Sequence, residues 1–187
     1  MASFCPSNAE PSAVKGLMGG RWTIATAIPL ALAVTGASAM EPKVAVFNFE
    51  LVDTSLEGAT NGPRADEQAR LGWLSNELRD RLAKSGRLDV VDIAPVAARA
   101  SASNLQACGG CDAPLARELG AKFAVTGWVQ KVSNLILNMN VIVRDADTGQ
   151  VIAGKSVDMR GNTEESWSRA LDWLVRDYLL APGQGVF

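Results

Sequence analysis

Two cysteines separated by two glycines, Cys108-Gly-Gly-Cys111, come nearest in type and spacing to a chemical motif in this chain. Two intervening residues is the spacing of thiol–disulfide redox motifs and of half a zinc site. The zinc reading lacks a second cysteine pair, and the chain has no histidine to supply imidazole ligands. For redox work, a helix opening at Asp112 would lower the pKa of a nearby thiolate. The Asp112 carboxylate would oppose it. The motif also follows a loop, whereas thioredoxin-type motifs follow a strand. The residues favour a local disulfide staple, worth about 2 kcal/mol by loop entropy for so short a ring. A thiol-active Cys108/Cys111 pair is the alternative.

A second group is acidic: Glu50, Asp53 and Glu57, with Asp66 beyond them. Parallel α/β sheets collect ligands at the carboxyl ends of their strands, and a hard cation such as calcium needs several oxygens. The spacing matches no EF-hand loop, so the competing reading is a solvated acidic loop, and no metal is assigned. A third group is polar. Asn134, Asn138 and Asn140 present amides, and Arg160-Gly-Asn-Thr-Glu-Glu-Ser-Trp167 could form a recognition corner through Arg160, Asn162 and Trp167. The plainer reading is a wet sheet face, a helix cap at Asn162 and a packed tryptophan. The absence of histidine excludes serine-histidine-aspartate and cysteine-histidine triads. No catalytic residue and no cofactor are assigned.

These residues need a scaffold. Lys43–Phe49 is a nearly continuous apolar run and reads as a central strand covered on both faces. Residues 50–64 read as a loop. From Ala65 to Lys84, Leu71, Leu74, Leu78 and Leu82 form one helical stripe, closed by Gly86. Arg87–Asp92 reads as a short strand, 94–102 as a weak helix, and Ala113–Leu119 as a helix capped by Asp112. Lys122–Val132, Leu135–Asp145 and Gln150–Arg160 form an antiparallel meander. Its middle strand puts Leu135, Leu137, Met139, Val141 and Val143 on one face. The stripe Trp167, Leu171, Leu174 and Tyr178 of a last helix, opened by Asn162, is expected to cover that face. The fold class is α/β: a mixed sheet with a β-α-β start and an antiparallel meander, helices packed on it.

Residues 18–39 carry Arg21, an apolar stretch and an Ala-Ser-Ala ending at Ala39. This is the pattern of a cleavable export signal, with Met18 the expected start and residues 1–17 an extension. The apolar stretch falls short of the ~20 residues a membrane span needs. The expected mature chain, 40–187, is one domain, periplasmic and without a transmembrane segment. The whole chain has 18 basic and 20 acidic residues. Lys15, Arg21 and Glu10 precede residue 40, leaving 16 against 19. No basic stripe is present to hold phosphates, so nucleic acid is not expected as a partner.

Several runs occur in a telling order: Val44-Ala-Val-Phe-Asn-Phe49, Leu78-Arg-Asp-Arg-Leu82, Gly86-Arg-Leu-Asp-Val-Val91, Leu119-Gly-Ala-Lys-Phe-Ala-Val-Thr-Gly-Trp-Val129 and Asp145-Ala-Asp-Thr-Gly-Gln-Val151. This order resembles the amino-terminal domain of TolB and its CsgG-like kin, among them lipoprotein activators of penicillin-binding proteins. Cys108-Gly-Gly-Cys111, Lys131-Val-Ser-Asn-Leu-Ile136 and Arg160–Trp167 are similar to an uncharacterised family of small exported bacterial proteins, a domain of unknown function. The resemblance spans 43–180. It implies a non-catalytic accessory or binding module that contacts another periplasmic or envelope protein, and it carries over no catalytic residue. It also leaves open a small-ligand or metal-binding accessory of a periplasmic oxidation system.

Overall fold

The computed structural model describes residues 40–187. The expected export signal and the start at Met18 lie outside the described residues. The first apolar run forms β1 (Lys43–Val46), and the strand resumes as β2 (Glu50–Asp53). Both pair in parallel with β4 (Phe123–Lys131), Val46 opposite Val125 and Glu50 opposite Trp128. Four steps along one strand thus match three along the other, which is a one-residue bulge. Its cause is Phe49. The ring packs against Gly127, where an added Cβ would stand 2.5 Å from the ring's Cε1 and Cζ. The Phe49 N–H, turned away from β4, donates to Ser75 Oγ at 2.9 Å. The expected strand 43–49 and loop 50–64 are therefore corrected. The strand runs on past the bulge, and Leu56–Asn61 forms a short helix, α1, capped by the Ser55 hydroxyl.

Helix α2 (Ala65–Lys84) buries Leu71, Leu74, Leu78 and Leu82, the stripe read from the sequence. Gly86, at φ 65°, turns the chain. It enters β3, which pairs in parallel with β1 but is only Asp89–Val90 long. A 3-10 turn at Ala94–Val96 leads into α3 (Ala97–Ala102), followed by α4 (Asp112–Glu118). Strands β4, β5 (Leu137–Asp145) and β6 (Val151–Met159) make the antiparallel meander. The chain closes with α5 (Glu164–Trp173) and a π-helical turn, Leu174–Leu179. The sheet order is β3-β1-β4-β5-β6, with β2 also on β4. This is the mixed α/β sheet that the sequence implies.

Helices on both faces explain why residues 44–47 are apolar throughout. Val44 and Val46 join α2 and α5 in one core, while Ala45 and Phe47 join α3 and α4 in another. Trp167, Leu171 and Leu174 are fully buried in the same core as Leu137, Met139, Val141 and Val143, as expected. Tyr178 is half-buried, and its hydroxyl donates to the Gly154 carbonyl at 3.0 Å. Leu135 departs from expectation: β5 begins at Leu137, and Leu135 is exposed ahead of it. On the outer strand β6, Val151 is exposed beside a register shift at Val143/Arg144. Two cap assignments also change. Thr163, not Asn162, caps α5, accepting the Ser166 N–H at 3.2 Å. Asp112 is inside α4, after Cys111 at the cap position.

Candidate functional site

Lys131 ends β4 on the same face as Val125 and Val129, and it is fully buried. A lone ammonium there would be untenable, and three carboxylates surround it. Its Nζ lies 2.7 Å from Glu67 Oε1, 2.9 Å from Glu57 Oε2 and 3.3 Å from Asp53 Oδ2. Each acid has its own reason to be there. Asp53 is the register partner of Lys131, Glu57 lies in the first turn of α1, and Glu67 lies in the first turn of α2. Both helix positions favour negative charge.

A second layer surrounds this cluster. Arg64 binds Glu57 at 3.0 Å and Asp66 at 3.0 Å, and Arg70 pairs with Asp66. Asn162 joins the layers: its Nδ2 donates to Glu67 Oε1 at 2.6 Å and to Asn134 Oδ1 at 3.2 Å. Its Oδ1 accepts from Arg70 at 2.6 Å and from the Trp167 indole N–H at 3.1 Å. The Arg70 guanidinium also lies 5.1 Å from the Trp167 ring centroid, a cation–π contact. Asn134 donates to Glu57 Oε2 at 2.9 Å. One oxygen, Glu67 Oε2, is buried without a hydrogen-bond partner among the described residues.

The cluster fixes its own protonation. Burial pushes the Lys131 ammonium down, but hydrogen bonds to Glu67, Glu57 and Asp53 outweigh it, and its pKa is raised above the usual lysine range. For Asp53, burial acts upward; hydrogen bonds from Ser55 and Lys131 overcome it and hold the carboxyl low. Glu57 is held low chiefly by its bond from Lys131. Asp66 is brought down to about 2, first by the Arg64 hydrogen bond. Lys131 is thus a locked cation rather than a base, and these carboxyls are locked anions rather than acids.

Above the cluster, the β4–β5 connection is the tip of a hairpin. Val132, Leu135 and Ile136 are 48%, 73% and 56% exposed, and Leu56 at the head of α1 is exposed too. The tip is nevertheless tied down. Val132 and Ser133 donate to the Ile136 carbonyl at 3.0 and 3.2 Å, and Gly161 and Asn162 donate to the carbonyls of Leu135 and Asn134 at 3.3 and 2.9 Å. The Asn134–Glu57 bond ties it to the ion cluster.

The structure therefore regroups the residues singled out by sequence. Asp53, Glu57, Asp66, Asn134, Asn162 and Trp167 converge on one network. Glu50 leaves the acidic set: its two oxygens accept the Leu105 and Gln106 N–H groups at 2.8 and 3.1 Å. With Asp53 and Glu57 bound to Lys131, the three do not form a cation site. Asn138 and Asn140 bond to each other at 2.5 Å, apart from Asn134. Arg160 is exposed and outside the network. Cys108 and Cys111 stand at disulfide distance, Cα atoms 5.8 Å apart. The Asp112 carboxylate, expected to cap, instead accepts from Thr126 and Arg144, both at 3.0 Å, and bolts this loop to the sheet. Lys131, Glu67 and Arg70 were not singled out by sequence. The signal for the first two was present: Lys131 occupies a core position in the alternation of β4, and Glu67 shares the stripe of Leu71 and Leu74.

Fold and site together define a mixed α/β domain with a cluster of mutually paired charges beneath an exposed apolar tip. Residues 42–179 match the DUF3280 family, described as "Protein of unknown function (DUF2380)", and the chain belongs to that family. No curated protein matches the chain. Among solved structures, the C-terminal domain of LpoB from Salmonella enterica is similar at 16% identity and a TM-score of 0.44, over 64% of this chain and 83% of that one. Escherichia coli LpoB is similar at 14% identity and a TM-score of 0.46, over 86% and 84%. TolB from Acinetobacter baumannii is similar at 15% identity and a TM-score of 0.38, over 73% of this chain and 28% of that one.

Proposed function

We propose that this protein is a non-catalytic accessory module of the cell envelope that binds another protein through its β4–β5 hairpin tip. One observation carries the reading: three apolar side chains within five residues, Val132, Leu135 and Ile136, are exposed on a loop held in place by the ion cluster. Single exposed apolar residues need no explanation, but a contiguous patch does. Holding it rigid lowers the entropy lost on binding. Burying Leu135 and Ile136 in a partner would each supply roughly 1.5–3 kcal/mol.

The chemistry supports a binding role over catalysis. Lys131 is held charged, and Asp53 and Glu57 are held ionised. None is poised to exchange a proton near neutral pH. Export rests on the sequence pattern at residues 18–39, and a disulfide at Cys108–Cys111 suits an oxidising compartment. No helix among the described residues is long and apolar enough to cross a membrane.

The test is the size of the native assembly. Protein released gently from the envelope is expected to migrate well above the mass of the free 40–187 chain, which is itself below the 19.7 kDa of the full sequence. The double substitution Leu135→Asp, Ile136→Asp is expected to release it as the free chain with its thermal midpoint unchanged. A complex that survives the double substitution, or a native protein that is already free, contradicts the proposal.

A further inference from the structure

We infer that the open edge of β2 is a docking slot for an extended peptide segment of a partner, which would add to the sheet as a further strand. This goes beyond the hairpin tip and is independent of it, since substitutions at 135 and 136 leave the slot untouched.

The inference begins with the path of β3. That strand pairs with β1 only at Lys43–Val44 and leaves the sheet after the Val91 N–H donates to the Val44 carbonyl at 3.0 Å. The lane it vacates continues alongside β2. Among the described residues, β2 pairs with β4 alone. The Thr54 N–H donates to the Lys131 carbonyl at 2.9 Å. By the alternation of a strand, Val52 and Glu50 also turn their backbone groups to β4, while Leu51 and Asp53 turn theirs outward into the vacated lane. An unpaired strand edge of this kind is a template for another chain.

The lane is also walled. α2 and α3 stand on opposite faces of the sheet and leave between them a cavity of about 290 Å³ along this edge. Its apolar lining includes Phe49, Leu51, Leu71 and Ile93, and Gln68 and Ser101 stand on opposite walls. A broader opening of about 470 Å³ continues along Glu50–Asp53. The inner cavity is at the low end of the ~300–1,000 Å³ typical of small-ligand pockets, but it suits a side chain or two from a strand pairing above it. Among the described residues, no lysine or arginine lines either space, whereas Glu50 and Asp53 do. The complementary segment is therefore neutral or basic, about four residues long to match β2, with an apolar side chain aimed into the slot.

The probe is a displayed library of linear heptapeptides selected against the full protein. Uncharged or basic sequences with an apolar anchor are expected to be enriched. The best synthetic peptide is expected to slow hydrogen exchange of the Leu51 and Asp53 amides by on the order of tenfold or more. Ser101→Trp and Gln68→Trp, which fill the slot from its two exposed walls, are expected to weaken binding at least about tenfold with the unfolding midpoint unchanged. The inference is overturned if no peptide is enriched, if binding leaves both amides unprotected, or if both tryptophan variants bind as the wild type does. Protection of the same amides in the protein alone, rising with its concentration, would assign the edge to a second copy of this chain and would equally overturn it.

Discussion

Replacing Lys131 with methionine keeps an unbranched side chain, one atom shorter, and removes its charge. The side chain is fully buried, and so is Glu67, 2.7 Å away. The substitution leaves the Glu67 carboxylate buried, with Asn162 Nδ2 its one remaining donor among the described residues. Removing one partner of a buried pair costs about 3–5 kcal/mol, because the remaining charge keeps its desolvation penalty without compensation. That is a large share of the 5–15 kcal/mol typical of a domain. Lys131→Met is therefore expected to lower the unfolding free energy extrapolated from a urea titration by that amount, with the slope of the transition unchanged and the midpoint reduced in proportion. Glu67→Gln keeps an acceptor for Asn162 while shedding the charge, and alone it is expected to cost less. In the double variant the orphaned charge is gone, so the two losses should fall short of additive by at least about 1 kcal/mol. A Lys131→Met protein within about 0.5 kcal/mol of wild type, or strictly additive losses, would refute the claim that this cluster holds the fold together at this end.

Three further outcomes follow from the same geometry. Asp53, Glu57 and Asp66 have lowered pKa values in the folded protein, so their stabilisation is complete above the unfolded-state values of about 4. It is lost as pH falls through the folded values; the urea midpoint is expected to drop steeply from about pH 4 toward 2, and Lys131→Met should flatten that fall. Gly127→Ala pushes a methyl into the Phe49 ring, and an unfolding titration is expected to show a loss of about 1–3 kcal/mol. Replacing Cys108 and Cys111 together by serine is expected to cost about 2 kcal/mol and to leave hairpin-tip binding intact; loss of binding with the fold preserved would favour a thiol role.

The elements legible in the sequence were those whose periodicity is set by burial. The leucine stripe of α2 and the alternation from Leu137 to Val143 name their own faces, and the cover of Trp167, Leu171 and Leu174 follows from them. The bulge at Phe47–Phe49 was not legible. It arises where a ring meets Gly127 on another strand, a contact about eighty residues away in sequence. Without that contact, Glu50–Asp53 reads as loop. Leu135 misled because it continues the strand's alternation by residue type, although the backbone there already belongs to the tip. The ion cluster was half legible. Its acids drew notice as a loop composition, but their partner Lys131 is recognised only when its place on the inward face of β4 is taken at face value. A lysine or glutamate in phase with core leucines and valines is a buried charge in want of a partner.

The most direct measurement is a photo-cross-linking scan in living cells. A photoreactive residue is placed at 135 or 136 on the tip and, as controls, at Lys84 and Arg169 on the exposed surfaces of α2 and α5. Positions 135 and 136 are expected to give one discrete adduct with one envelope protein, identified by mass spectrometry, while 84 and 169 give none. Equal labelling at all four positions, or adducts only at the helix positions, would contradict the claim that the hairpin tip is the binding surface.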